Sequence, residues 1–153
     1  MGWKWIKDIL NNIFFCYNII GDNMKEVQEF LKECGVFYIA TVEDNQPRVR
    51  PFGVIEIFEN HLYIQTGKCK NVSKQIQNNP NVEICGFKDG RWIRVTGKLV
   101  RDDRVEAKKY VLDQIPTLRG MYNELDDNTE VLYFESGKAV IYSFTSEPIV
   151  IEF

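Results

Sequence analysis

Two short stretches of the chain carry the side chains best suited to hold an anion. "QPRVRPFG" sets Arg48 and Arg50 two residues apart, and "QTGKCKN" runs from Gln65 and Thr66 through Gly67 to Lys70 and Asn71. Strand residues two apart point to the same side, so the two arginines project together. Adjacent like charges repel unless solvent or an anion lies between them. Taken alone, the pair reads as a solvated outer face. The second stretch has the pattern strand, glycine turn, helix start. Free backbone N–H groups and the helix dipole at such a start favour a phosphate. Thr66 adds a hydroxyl donor and Lys70 a full charge. The turn lacks the Walker spacing and by itself reads as a plain basic turn. Taken together, the two stretches are better explained as a phosphate cradle.

A third candidate lies in "RWIRVTGKLV". Trp92, Arg94 and Thr96 share one strand face, while Ile93, Val95 and Leu99 take the other as core. A tryptophan beside an arginine on a non-core face suits stacking or an interface. A partly covered surface tryptophan with an ion-paired arginine is the alternative. Tyr38, Tyr63, Tyr122 and Glu124 are further pocket candidates that read equally well as core or rim, and no catalytic acid or base stands out. The four cysteines are scattered singly and His61 is the only histidine, so no metal site is expected. His61 falls in a hairpin turn and reads as a solvated residue.

The elements that position these groups follow from periodicity. Met24, Val27, Phe30, Leu31 and Cys34 lie on one helical face, ended by Gly35. "VFYIATV" and "RVRPFGVIEIF" read as strands joined at "EDNQP", with Pro51 and Gly53 marking a bulge or an edge in the second. "ENH" turns into the strand "LYIQT", and "NVSKQIQNNP" is a short helix. "VEICGF" and "RWIRVTGKLV" form a hairpin about Asp89-Gly90. A helix over "DDRVEAKKYVLDQI" opens with Asp103 and Glu106 at capping-box spacing. "PTLRGMYNELDDN" is a loop or a loosely helical stretch, and "EVLYFES" and "KAVIYSF" are the last two strands. The pattern predicts an α+β domain built on a small antiparallel barrel of six to seven strands with flanking helices.

The chain has 153 residues, enough for one domain, with 44% hydrophobic and 27% charged residues. A net charge of -3 argues against nucleic acid as the main partner. Residues 1–23 have a different texture: Ile6, Ile9, Leu10, Ile13, Phe14 and Tyr17 recur at helical spacing, predicting an amphipathic helical extension to the domain at 24–153. Its apolar run is too short for a membrane span, and no small-residue cleavage site follows it. Met24 as the natural start is the other reading. A cytoplasmic protein with four reduced thiols is expected.

In order and spacing, "FYIATVEDNQPRVRPFG", "LYIQTGKCKNVSKQIQNNPNVEI" and "RWIRVTGKLV" resemble the FMN-binding split-barrel proteins related to pyridoxamine 5'-phosphate oxidase. The similarity is greatest to the nitroimidazole-resistance (Nim-type) and general-stress flavoprotein branch, and it extends over about Met24 to Phe144. The resemblance implies a split barrel and a homodimer with FMN at the subunit interface. It assigns the phosphate and ribityl region to Arg50 with Arg48 beside it, and the flavin edge to the backbone from Val49 through Pro51 to Phe52. Gln65 and Thr66 match the strand-end pair at the cofactor, Lys70 and Asn71 the phosphate-binding turn, and Trp92 a residue reaching the flavin across the interface. The implied activity is electron transfer from a reduced nicotinamide or similar donor to a small planar acceptor, such as a nitroaromatic or a quinone. A non-catalytic FMN carrier or redox sensor is the alternative; a deazaflavin or haem pocket is a third reading, with haem disfavoured by the lone His61. The vitamin oxidase's Arg-x-His segment has no counterpart in "SEPIVIEF", so oxidation of pyridoxamine phosphate is not expected. Gln65 stands where many Nim-type proteins carry a histidine.

Overall fold

Three two-residue turns set the register of the sheet, and each places both central residues at positive φ. They are Asp44-Asn45, Glu59-Asn60 and Asp89-Gly90, with φ values of 49° and 64°, 47° and 58°, and 49° and 74°. This conformation matches the right-handed twist of the flanking strands, which is why such pairs close tight hairpins. The computed structural model describes residues 23–153. The amphipathic extension expected over 1–23 lies outside the described residues, save for Asn23.

Helix α1 spans 23–34. Strands β1 (Phe37–Glu43), β2 (Gln46–Phe52), β3 (Glu56–Phe58) and β4 (His61–Gly67) follow. After them come helix α2 (Asn71–Asn78), strands β5 (Asn81–Lys88) and β6 (Arg91–Asp102), helix α3 (Val105–Gln114) and a 3-10 turn at Pro116–Gly120. Strands β7 (Thr129–Ser143) and β8 (Ile149–Glu152) complete the chain. The eight strands form one antiparallel sheet in the order β2-β1-β5-β6-β7-β4-β3, with β8 on β7. The sheet does not close, so the expected split barrel is present with eight strands.

The strands differ from the sequence reading in three places. "RVRPFGVIEIF" is two strands at opposite edges of the sheet, and Gly53, Val54 and Ile55 carry the chain between them. Local alternation could not reveal this, because α1 pins the crossing from a distance: Gln28 Nε2 donates to Ile55 O at 3.2 Å, and Lys32 pairs with buried Glu56 at 2.7 Å. "EVLYFES" and "KAVIYSF" are one strand. The register against β6 skips Glu135, a bulge that turns the strand without ending it. Here Gly97 is required, since a Cβ on it would stand 2.5 Å from Ser136 O. "IVIE" supplies the additional strand.

The expected capping box on α3 is absent. The N-cap is Arg104, with no side-chain cap, and its N–H donates to Asp102 Oδ1 at 3.0 Å. The carboxylate one residue before Asp103 thus receives the chain into the helix.

Two apolar clusters result. The larger fills the barrel with Phe37, Ile39, Leu62, Ile64, Ile84, Ile93, Val95 and Phe134, covered by Val27 and Leu31 of α1. Each fully buried aliphatic side chain of this kind contributes roughly 1.5–3 kcal/mol. The smaller joins Val54, Tyr63 and Val131 to Ala107 and Val111 of α3.

Candidate functional site

The two arginines of β2 are positioned by β1 and α2. Arg50 Nη1 donates to Thr41 Oγ1 at 2.7 Å and to Ile39 O at 3.3 Å, and its Nη2 donates to Gln75 Oε1 at 2.6 Å. Thr41 and Gln75 are buried, and Thr41 donates to the same Gln75 oxygen at 2.6 Å. Arg48 donates to Glu43 Oε2 at 3.0 Å, and Glu43 Oε1 accepts from Gln75 Nε2 at 3.2 Å. Glu43 pairs directly with Arg48 and is linked to Arg50 through the Gln75 amide. Burial, then the charge of Arg48, holds the Arg50 guanidinium below its ordinary range, opposed by Glu43. The Gln75 amide, with both arginines, holds the Glu43 carboxyl below its ordinary value.

A separate cleft of about 310 Å³ opens where β2 and β4 end and α2 begins. Pro51, Phe52, Gly53 and Val54 line one side, Gln65, Thr66 and Lys70 another, and Leu118, Met121 and Tyr122 cover it. The volume is at the low end for small-molecule sites. Thr66 is 1% exposed, and its Oγ1 has no hydrogen-bond partner among the described residues. Lys70 stands at the N-cap of α2, with Nζ 5.8 Å from the centre of the Tyr122 ring. Among the described residues no carboxylate ion-pairs with Lys70. Gln65 Nε2 is turned onto Thr66 O at 2.7 Å.

Asn128 shapes the glycine turn. Its carbonyl accepts from Lys68 N at 2.7 Å, and its Oδ1 accepts from Cys69 N at 3.0 Å. A Cβ on Gly67 would meet the Asn128 side chain at 3.1 Å.

The structure therefore brings Pro51, Phe52, Gln65, Thr66 and Lys70 together. Arg48 and Arg50 belong to the neighbouring network, Val49 is 68% exposed, and Asn71 is exposed at the first position of α2. Trp92 lies on the outer face of the sheet, stacked on Tyr142 at 5.3 Å and 12°. Of the other tyrosines, Tyr38 is exposed on that same face, and Tyr63 is buried against Asp102 at 2.9 Å. Glu124 pairs with Arg119. Sequence reasoning missed Asn128, Thr41 and Gln75, none of which has a local signal, and also Leu118 and Met121. His61 opens β4, its ring edge-on to Tyr133.

A family model described as pyridoxamine 5'-phosphate oxidase matches residues 24–132. The chain belongs to the pyridoxamine 5'-phosphate oxidase family. Within it, the chain is similar to a NimC/NimA family protein from Clostridium acetobutylicum of known crystal structure. That similarity is 45% identity over 90% of this chain and 96% of the other, with a TM-score of 0.86. General Stress Protein 26 from Bacillus anthracis shares the fold at 17% identity and a TM-score of 0.65, over 84% of this chain and 96% of that one. A pyridoxamine 5'-phosphate oxidase-related, FMN binding protein from Nostoc punctiforme shares it at 15% identity and a TM-score of 0.53, over 85% and 93%. No curated protein matches the sequence. All ten positions nominated for the cofactor fall within the span matched to the family.

Proposed function

We propose that this family member binds FMN in the cleft at Thr66 and Lys70 and serves as an FMN-dependent oxidoreductase. The observation that carries the reading is the buried Thr66 hydroxyl left without a partner beside a cation and a helix start. A buried polar atom without a partner costs about 1–3 kcal/mol, and a ligand oxygen in the cleft would supply that partner. The residues fit a phosphorylated flavin. Lys70 supplies charge, the first turn of α2 supplies backbone N–H groups, and Phe52, Leu118 and Met121 offer apolar walls for a flat ring. Arg48 and Arg50 add positive potential behind the turn, and the β2 backbone about Val49 borders the ring.

When bound, FMN supplies two-electron transfer between a reduced nicotinamide or similar donor and a small planar acceptor, nitroaromatic or quinone. The chain's own part is to orient the ring, neutralise the phosphate through Lys70, and exclude water with Leu118, Met121 and Tyr122. Among the described residues that line the cleft, the titratable groups are Lys70 and Tyr122. That lining favours a second reading, an FMN carrier or redox sensor.

The outer face of the sheet supports a homodimer that completes the site. Tyr38, Phe87 and Phe144 are 51%, 63% and 82% exposed there, next to the Trp92–Tyr142 stack. A patch of this kind marks an association surface, and in a symmetric pair Trp92 would approach the partner's flavin. A cytoplasmic setting agrees with the free thiols of Cys34, Cys69 and Cys85.

An absorbance spectrum of the purified protein, with chromatography of any heat-released ligand, tests the reading. Released FMN is expected, followed by nicotinamide oxidation in the presence of a nitro or quinone acceptor. Protein that carries no flavin and takes up none when it is added sinks the proposal; bound FMN without turnover leaves the carrier.

A further inference from the structure

A second cleft, of about 280 Å³, lies where the far end of α2 meets the β6–β7 ladder. It shares no lining residue with the first. Its apolar walls are Ile76 and Pro80, from α2 and the turn after it, and Leu99 and Leu132, from the two strands. Leu99 N–H donates to Pro80 O at 3.0 Å and pins β6 to that turn. The charged side chains around it balance, Lys98 and Arg101 against Glu130 and Glu135. Glu130 is 0% exposed. Arg101 engages its Oε1 and also reaches Ser73 of α2 at 3.4 Å. Its Oε2 has no hydrogen-bond partner among the described residues, not even Thr66 directly opposite in the β4–β7 ladder. A donor brought into the cleft would supply one.

We propose that this cleft is a second small-molecule site, and that its occupant is a neutral, largely apolar molecule donating one N–H or O–H to Glu130 Oε2. Three features select that class. A carboxylate oxygen accepts and cannot donate, so the ligand must bring the hydrogen. Arg101 already balances the charge of Glu130, and a cationic ligand would carry an uncompensated charge among aliphatic walls. An anion would meet the open carboxylate oxygen and be repelled. The volume falls just below the roughly 300–1,000 Å³ of drug-sized sites, which suits a molecule of about one or two fused rings. Ile76, Pro80, Leu99 and Leu132 would cover its apolar body while Glu130 fixes its orientation.

Indole and benzofuran test the proposal, because they share a shape and differ in one group: indole donates an N–H, and benzofuran has only an acceptor oxygen. Each is titrated into the full chain and followed by backbone amide NMR. Indole is expected to shift the amides of Ile76, Gln77, Leu99 and Arg101 and to bind about ten-fold tighter than benzofuran. In Glu130→Gln the amide oxygen can keep Arg101 while the NH2 replaces Oε2, so the two affinities are expected to fall within about two-fold of each other. A crystal soaked with indole is expected to show its nitrogen within hydrogen-bond distance of Glu130 Oε2. The proposal is overturned by an absence of shifts up to the solubility of indole, by equal affinities in the wild type, or by an indole preference that survives Glu130→Gln. Indole seated elsewhere, or a Thr66 hydroxyl bonded to Oε2 in the crystal, overturns it as well. Should Glu130→Gln not fold, the wild-type contrast and the crystal decide. No flavin enters these measurements, so their outcome stands apart from that of the FMN reading.

Discussion

Arg50 Nη2 donates to Gln75 Oε1 at 2.6 Å, which ties an edge strand to helix α2 through a half-buried cation. Thr41, fully buried between them, donates to the same oxygen and accepts from Arg50. The arginine that sequence reasoning assigned to a phosphate thus braces the helix whose first turn borders the cleft.

Arg50→Ala should therefore act on stability. It strips the charged donor from Gln75 and Thr41, at about 2 kcal/mol. Arg48→Ala breaks a half-exposed ion pair with Glu43 and should cost less than about 1 kcal/mol. Urea denaturation of the two variants checks the contrast; equal effects would remove Arg50 from the brace.

Asn128→Ala should loosen the glycine turn while sparing the barrel. The side chain accepts from Cys69 N and fills the space beside Gly67. Hydrogen exchange at the Cys69 amide is expected to accelerate by about ten-fold, with the β5 and β6 amides unchanged. Uniform acceleration across the sheet would instead mark Asn128 as a general stability residue.

Acid should release the contact behind α3. Burial works to raise the Asp102 carboxyl, but the Arg104 guanidinium and N–H and the Tyr63 hydroxyl overcome it and hold the group below its ordinary value. A carboxylate with a depressed folded-state pKa contributes stability that is fully present above its unfolded value, near pH 4, and lost as pH falls through the folded one. Melting temperature should decline below about pH 4, and Asp102→Asn, already destabilised at pH 7, should decline less steeply. Parallel acid limbs in the two proteins would place the titration elsewhere.

Phe87→Glu should dissociate the proposed homodimer, because Phe87 is 63% exposed and registers with Trp92 across the β5–β6 ladder. Sedimentation velocity is expected to show a dimer for the wild type and a monomer for the variant, with melting shifted only slightly. A wild type that sediments as a monomer ends the dimer reading.

Local chemistry made much of this legible in the chain. The turns at Asp89-Gly90 and Glu59-Asn60, the start of α2 after the glycine turn, and the inward set Ile93, Val95 and Leu99 follow from backbone sterics and alternation, which act over a few residues. The order of strands and turns sufficed for the family, and it nominated Thr66 and Lys70 beside Pro51 and Phe52, which the fold brings to one cleft. Only the tertiary structure divided "RVRPFGVIEIF" between opposite sheet edges, since that break depends on Gln28 and Lys32 reaching from α1. Only it turned Arg50 toward Gln75, brought Asn128 to Gly67, and set Glu130 opposite Thr66. Each of these pairs is far apart in the chain. Their chemistry is set by which strand lies beside which, and the chain fixes that only when the whole barrel is assembled.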